Sequence, residues 1–267
     1  MKVSVLITSY NSEKTLKRAI DSVLMQDFDD FFVIWIDDGS ADSSWDIICS
    51  YNISNGIGFQ PDHGGIMKTY RFGFGFIGSP EYICFCDGDD YWIDPLKLKK
   101  QVEFMDSHPD VGMCFTRVIT EKDGVRSYDN TSIEELNKGL AYDNILKGNA
   151  RIYAQSYCIR KSDFDKYVDF DKFVKLKMCV WDFPIAITLS KHTKLAYLDD
   201  TTAVFTIAGE SITHTHSRIK RLKLILGYHW IRLYFIFKYG CKISTFFYLV
   251  YRFFRDLYSV CFHRWDK

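Results

Sequence analysis

The sequence predicts an α/β fold: a Rossmann-like, mostly parallel central sheet flanked by helices, with a helical appendage at its C-terminal end. Three observations carry this reading. Residues 1–60 alternate short apolar runs with amphipathic stretches at a spacing that suits parallel strands joined by right-handed crossovers. A run of strand character, Tyr82-Ile83-Cys84-Phe85-Cys86, ends abruptly in Asp87-Gly88-Asp89-Asp90, and Pro95 then suits the first turn of a helix. From about Ser217 the composition shifts to Tyr, Phe, Leu and Ile interrupted throughout by Lys and Arg.

Residues 2–9 read as a buried strand. Ser12 is placed to cap a helix whose apolar positions Leu16, Ala19, Ile20, Val23 and Leu24 follow helical spacing. Residues 31–36 form a second buried strand that ends in Asp37-Asp38-Gly39-Ser40, and Ser43 and Ser44 open a second helix. A short third strand at 56–59 leads to His63-Gly64-Gly65 and a helix. Glycines at 73, 75 and 78 each cost about 1 kcal/mol relative to alanine in a helix. They point to close backbone approach, to a strand or to a ligand. A helix over 96–105 follows the acidic strand end, then a strand at 111–119 and a hairpin or surface loop over 121–130. Ser132-Ile133-Glu134-Glu135 resembles a capping box before a helix ending near Gly148. A strand over 151–160, a helix over 181–190 beginning with Asp182, and edge or hairpin strands at 194–198 and 203–207 complete the domain.

Two further helices, 218–238 and 243–265, are separated at Gly240. Leu222, Ile225, Leu226, His229, Leu233, Ile236 and Phe237 cover one face of the first, with the basic residues off it. Two readings fit. The pair packs on the catalytic domain or in a homodimer, or it lies in a membrane interface anchored by Trp230, Tyr234 and Trp265.

Composition narrows the function. The chain has 267 residues, 47% of them hydrophobic, enough for a sizeable core. Lys+Arg and Asp+Glu are equal at 34 each, so no global field draws it to nucleic acid. Eight scattered cysteines form no C-x-x-C pair and read as reduced core thiols rather than zinc ligands. The N-terminus enters a strand too early for a signal peptide, and no window offers the roughly eighteen apolar residues of a spanning helix. The expected location is cytoplasmic, or peripheral at the inner face of the cell membrane.

Three carboxylates within four residues repel one another and are costly to keep ionised beside an apolar strand end. A bound cation relieves this, and hard oxygen ligands suit magnesium or manganese. The plain alternative is a solvated acidic turn, with Asp94 capping the next helix.

Val3-Ser4-Val5-Leu6-Ile7-Thr8-Ser9-Tyr10-Asn11, Ile36-Asp37-Asp38-Gly39-Ser40, His63-Gly64-Gly65 and Asp87-Gly88-Asp89-Asp90-Tyr91-Trp92 come in an order and spacing that resembles the family 2 glycosyltransferases. These are inverting enzymes of the GT-A fold that use nucleotide-diphosphate sugars. The resemblance covers roughly residues 1–215, which divides the chain into a GT-A domain (1–215) and a C-terminal aromatic and basic helical region (216–267). It implies that Thr8, Tyr10 and Asp38 hold the base and ribose, with Asp38 accepting from the uracil N–H and Tyr10 stacking on the ring. Asp87 would contact the ribose, Asp89 would bind a divalent metal that bridges the diphosphate, and Asp90 and Trp92 would shape the sugar pocket. An inverting displacement needs a base for the acceptor hydroxyl, and Asp182 matches that position. Trp181 stands where relatives often carry an acid. Relatives also often read Ala-Arg-Asn where this chain has Thr69-Tyr70-Arg71-Phe72, which leaves Lys68 or Arg71 as the phosphate-facing cation. His214, in a loop resembling one that closes over the diphosphate, is a candidate third metal ligand.

The activity so implied is transfer of a sugar from a nucleotide sugar, a UDP-sugar first, to a glycan or lipid-linked acceptor in bacterial surface polysaccharide synthesis. A nucleotidyltransferase would carry a glycine-rich basic loop after the first strand, where this chain reads Thr8-Ser9-Tyr10-Asn11-Ser12-Glu13-Lys14. A non-catalytic nucleotide-sugar binder would have no chemical need of Asp182. A dinucleotide-dependent oxidoreductase would need G-x-G-x-x-G after the first strand.

Overall fold

The computed structural model describes residues 1–52, 54–128, 137, 139–148, 152–207 and 217–262, with side chains to 260. Its first half is β1 (Val3–Ser9), α1 (Leu16–Leu24), β2 (Phe31–Asp37), α2 (Ser44–Ser50), β3 (Gly56–Phe59), α3 (Ile66–Phe74) and β4 (Tyr82–Asp87). β1 runs parallel to both β2 and β4, and β2 runs parallel to β3. The chain therefore builds outward from β1 to β3, then returns to lay β4 on the opposite side of β1. Such a reversal leaves a crevice beyond the C-terminal ends of the strands, where open sheets bind ligands.

The second half is β5 (Tyr91–Trp92), α4 (Lys97–Ser107), β6 (Val111–Lys122), β7 (Val125–Tyr128), α5 (Tyr142–Lys147), a 3₁₀ turn (Ala154–Ser156), β8 (Cys158–Arg160), α6 (Lys161–Tyr167), α7 (Phe170–Lys175), α8 (Asp182–His192), β9 (Lys194–Ile207), α9 (Arg218–Tyr239) and α10 (Ile243–Phe262). The described strands form one sheet in the order β3-β2-β1-β4-β8-β6-β9-β5, with β7 paired to β6. β8 is antiparallel to both β4 and β6, so it joins a parallel half to a mixed half.

Alternation along β1 decides the two faces. Val3, Val5 and Ile7 pack with Leu16, Ala19, Ile20 and Val23 of α1 and with Leu98 and Val102 of α4. Leu6 points to the other side, into the larger core with Tyr70, Phe85, Ile185 and Phe235. Gly73 explains part of the glycine pattern. A Cβ there would sit 2.7 Å from Leu6 Cδ1 and 3.2 Å from Ile36 Cγ1, so the glycine lets α3 lie directly on the sheet.

Several expectations need correction. The segments 194–198 and 203–207 are a single strand, β9, which runs inside the sheet, parallel to β6 with register irregularities. The acidic pair between them does not make a turn, because Asp199 pairs with Arg117 (2.9 Å) and Asp200 with Lys100 (2.8 Å). The strand expected over 151–160 begins only at Cys158. The Ala154–Ser156 turn occupies its start, where Ser156 Oγ donates to the Tyr153 carbonyl at 2.6 Å. The hairpin after residue 121 is present as β6–β7, turned at Asp123 and Gly124, both with positive φ. The capping box at 132–135 lies outside the described residues.

The face of α9 that packs inward is also not the one expected. Of the expected face His229 is buried, but Leu226, Leu233 and Phe237 face outward, and Ile231, Arg232 and Phe235 are buried instead. A basic residue reaches the buried face because it has carbonyls to serve. Arg232 Nε donates to Leu146 O at 3.0 Å and Arg252 donates to Lys147 O, so two guanidinium groups cap the C-terminal end of α5. Phe235 is fully buried and meets Phe173 and Tyr239 edge-on and stacked, respectively. Residues of α9 and α10 thus share the core of the preceding domain.

Truncation of Phe235 is accordingly expected to be felt globally. Phe235→Ala should lower unfolding free energy by about 3–5 kcal/mol, read from urea unfolding as one cooperative transition. Wild-type stability, or a separate early transition, would mean that α9 folds apart from the sheet.

Candidate active site

The parallel register sets Thr8 beside Asp87 and Ser9 beside Asp37, so three strand ends deliver polar side chains to one crevice. Asp87 Oδ1 accepts from Thr8 Oγ1 at 2.9 Å and from Tyr70 OH at 2.5 Å. Burial pushes the Asp87 carboxyl up, and these two hydroxyls hold it down. Tyr70 is fully buried and its ring stacks on Trp181 at 3.7 Å, so the donor cannot swing away.

The turn after β2 is built around two carboxylates with different duties. Asp37 accepts from Ser9 Oγ (3.0 Å), the Ser40 amide (2.9 Å) and Gln60 Nε2 (2.9 Å), which fixes the turn itself. Asp38 faces the His63-Gly64-Gly65 loop. Its two oxygens accept from the amides of Gly64 and Gly65, each at 2.9 Å, and Oδ2 lies 2.9 Å from His63 Nδ1. His63 in turn stacks on Tyr10 with ring centroids 4.3 Å apart. Gly39 is required here: its φ is +66° and a Cβ would stand 2.8 Å from the His63 amide nitrogen.

Beyond β4, Gly88 donates to Thr8 O at 2.8 Å and its carbonyl accepts from Thr15 Oγ1 at 2.7 Å, so the acidic turn is tied to β1 and the start of α1. Asp89 keeps part of its surface open; its carboxyl is pushed up to about 6 by burial and then by Asp87, with Arg18 opposing. Asp90 is buried and held well above the ordinary carboxylate range by burial and by both neighbouring acids. It accepts from the Thr206 amide at 2.8 Å, tying the turn to the end of β9. Arg18 lies over the Tyr91 ring at 3.9 Å, the cation nearest this turn in its influence on Asp89 and Asp90.

Asp182 opens α8 directly after Trp181. It remains partly open, and burial pushes its carboxyl up to about 6, with Asp87 adding to the rise and the amides of Phe183 and Asp182 opposing it. Trp181, directly before it, stacks on Tyr70, whose hydroxyl donates to Asp87, so Asp182 stands near the end of β4. A carboxylate that titrates near neutrality is chemically suited to take a proton.

The structure therefore gathers Thr8, Tyr10, Asp38, Asp87 and Asp89 at the C-terminal ends of β1, β2 and β4, with Asp182 near them, while Asp90 is buried and braces the acidic turn against β9. It does not bring Arg71 there, because Arg71 pairs with the exposed Asp171 of α7. Trp92 is 1% exposed, donates from Nε1 to Gln155 O at 3.0 Å and lies against Lys97, so it supports the crevice from the core rather than lining it. Lys68 sits in the first turn of α3, exposed, with its stem across Gly64. His214 lies outside the described residues. Sequence reading missed Tyr70, Gln60 and Arg18. Tyr70 had a signal, since Thr69, Tyr70 and Gly73 form the buried face of α3 and a tyrosine there needs a partner for its hydroxyl.

The raised carboxyl of Asp182 has a stability consequence. Its unfolded form loses its proton near 3.8, the native form only near 6, so the group favours folding below pH 4 and this advantage disappears as pH rises through 6. Asp182→Asn should therefore gain stability relative to wild type between pH 4 and pH 7, by on the order of 1–3 kcal/mol. Urea unfolding across that range reads it. A difference that stays constant with pH would place the carboxylate in solvent.

Comparison with known proteins fits this geometry. The model of glycosyl transferase family 2 matches residues 4–168. An uncharacterized protein of Mycobacterium tuberculosis is 30% identical over 223 residues, 80% of this chain and 61% of its own length. The chain thus spans less than two thirds of that relative. The UDP-Glc:alpha-D-GlcNAc-diphosphoundecaprenol beta-1,3-glucosyltransferase WfaP of Escherichia coli is 32% identical over 145 residues, 54% of this chain and 57% of its own. The crystal structure of Staphylococcus aureus TarS in complex with UDP-GlcNAc superposes with a TM-score of 0.70 at 18% identity, covering 97% of this chain and 73% of that one. The fold is that of the GT-A enzymes, and the chain belongs to glycosyl transferase family 2.

Proposed function

We propose that this transferase moves a sugar, with inversion, from a UDP-sugar to a hydroxyl of a glycan or lipid-linked acceptor in bacterial surface polysaccharide synthesis. The observation that carries the reading is the position of Asp182: a partly open carboxylate at the start of α8, directly after Trp181, whose ring stacks on the Tyr70 that donates to Asp87. The Escherichia coli relative, a glucosyltransferase that moves glucose from UDP-glucose to a diphosphoundecaprenol-linked sugar, supports the donor and acceptor classes.

In this reading Asp182 accepts the proton of the acceptor hydroxyl as its oxygen attacks the anomeric carbon. The bond from that carbon to the diphosphate oxygen breaks on the opposite face, which inverts the centre. Thr8, Tyr10 and Asp38 form the nucleoside end. Asp38 does so with its oxygens already committed to Gly64 and Gly65, so it fixes the shape of the base pocket as well as offering its remaining lone pairs. Asp87, clamped by Thr8 and Tyr70, is oriented toward the ribose. Lys68 is the better phosphate-facing cation, because Arg71 is engaged by Asp171.

The residues present fit a divalent metal. Asp89 is a hard oxygen donor pushed up by burial and by Asp87, a situation that a dication relieves. Among the described residues no three His, Cys, Asp or Glu side chains gather into a complete cage, so Asp89 would hold the ion together with oxygens of the diphosphate. Magnesium or manganese bound there would supply charge neutralisation of the departing nucleotide.

With UDP-glucose and an undecaprenyl-diphosphate-linked N-acetylglucosamine as substrates, Asp182→Asn should lower kcat by about 10²–10⁴-fold while changing UDP-glucose affinity less than about threefold. The wild-type kcat should rise with pH through the region near 6 where Asp182 ionises. Near-normal turnover in the variant would remove Asp182 as the base. No transfer by wild type to this acceptor, with UDP-glucose still bound, would overturn the acceptor class instead.

A further inference from the structure

The two C-terminal helices fold back on one another, with His229 Nε2 and Asp256 Oδ2 3.2 Å apart and Phe253 edge-on to His229. Their inner sides are covered by the domain. Their outer sides are not. On α10, Phe246, Phe247, Val250, Tyr251, Phe254 and Tyr258 are all exposed, at the three- and four-residue spacing that makes one stripe along a helix. On α9, Ile219, Leu226, Trp230, Leu233 and Phe237 make a second exposed stripe, and Phe237 reaches 86% exposure. A soluble surface seldom carries so many large apolar side chains in register.

Charge identifies what covers them. Residues 217–267 hold eleven Lys and Arg against two acidic residues, a net charge of +9, while residues 1–216 hold twenty-three against thirty-two, a net of −9. A neutral chain is thus divided into an acidic catalytic part and a strongly basic helical part. Helical geometry sets the exposed Lys220, Lys223 and Lys238 along one border of the α9 stripe, and the exposed Arg255 along the α10 stripe. Long cationic side chains beside an aromatic stripe suit the boundary between acyl chains and anionic headgroups, where the stems bury and the charges reach phosphate. A second copy of this region would bring +9 against +9. Neither helix is long and apolar enough to cross a bilayer.

We propose that α9 and α10 form a docking face for an anionic phospholipid bilayer, lying in its interface with the two aromatic stripes immersed. The acidic remainder of the chain is then held off the same surface by its own charge. This inference is independent of which sugar is moved or to what.

The test is sedimentation of the full chain with vesicles of phosphatidylcholine alone and of phosphatidylcholine with 30% phosphatidylglycerol, in low and in 0.5 M salt. Binding to the anionic vesicles should exceed that to the neutral ones by at least tenfold and weaken with salt. Phe247→Ser/Phe254→Ser should reduce it at least tenfold, and so should Lys220→Glu/Lys223→Glu. These positions are exposed, and unchanged circular dichroism and UDP binding confirm that the variants fold. Equal binding to both vesicle types, or no binding by wild type, overturns the proposal. Light scattering on the same samples without lipid completes the test. A stable dimer that the Phe247→Ser/Phe254→Ser variant abolishes would assign the stripes to self-association and overturn it as well.

Discussion

Asp87 is a carboxylate placed where water cannot fully reach it, and much of the surrounding structure exists to keep it there. Burial raises its carboxyl, and only Thr8 and Tyr70 offset that cost. Thr8 can do so because β1 and β4 are parallel and in register, and Tyr70 because α3 lies directly on the sheet through Gly73. The aspartate next but one, Asp89, has no such pair of donors and is left with its carboxyl near 6. One acid has its hydrogen bonds supplied by the fold, and the other does not.

The same few contacts connect distant parts of the crevice. Tyr70 touches Asp87 with its hydroxyl and Trp181 with its ring, so the end of β4 and the helix that carries Asp182 are braced by a single side chain. Trp181 contributes stacking rather than charge beside Asp182. Asp90 joins the acidic turn to the last residues of β9 through the Thr206 amide. A displacement at any one of these points would be felt at the others, because the packing between them leaves no slack.

Much of this was legible in the sequence. Short apolar runs and turn residues gave β1 to β4 and their helices, since β1, β2 and β4 are buried on both faces and read as continuous apolar sequence. The acidic turn was conspicuous because nothing apolar explains three aspartates at a strand end. The second half was harder to read. β9 looked like two edge strands because Asp199 and Asp200 resemble a turn, whereas they fall at a register irregularity of one ladder to β6, with Arg117 and Lys100, remote in sequence, pairing with them. Arg71 was one of two candidates, with Lys68, for a phosphate-facing cation, but Asp171, a hundred positions away, pairs with it. Trp92 belongs to a site motif yet serves the core. On α9 the apolar face was identified, but the sequence could not tell which apolar residues meet protein, since packing and exposure to lipid select the same side chains.

The account stands on the acidic turn being the seat of a nucleotide diphosphate and its metal. The direct measurement is calorimetric titration of UDP and GDP into the protein, with manganese and with chelator, for wild type and Asp89→Ala. The account predicts UDP binding that manganese strengthens at least tenfold, with that gain absent in Asp89→Ala. UDP affinity indifferent to manganese and to the substitution would contradict it, and a preference for GDP would contradict the placing of uracil against Asp38.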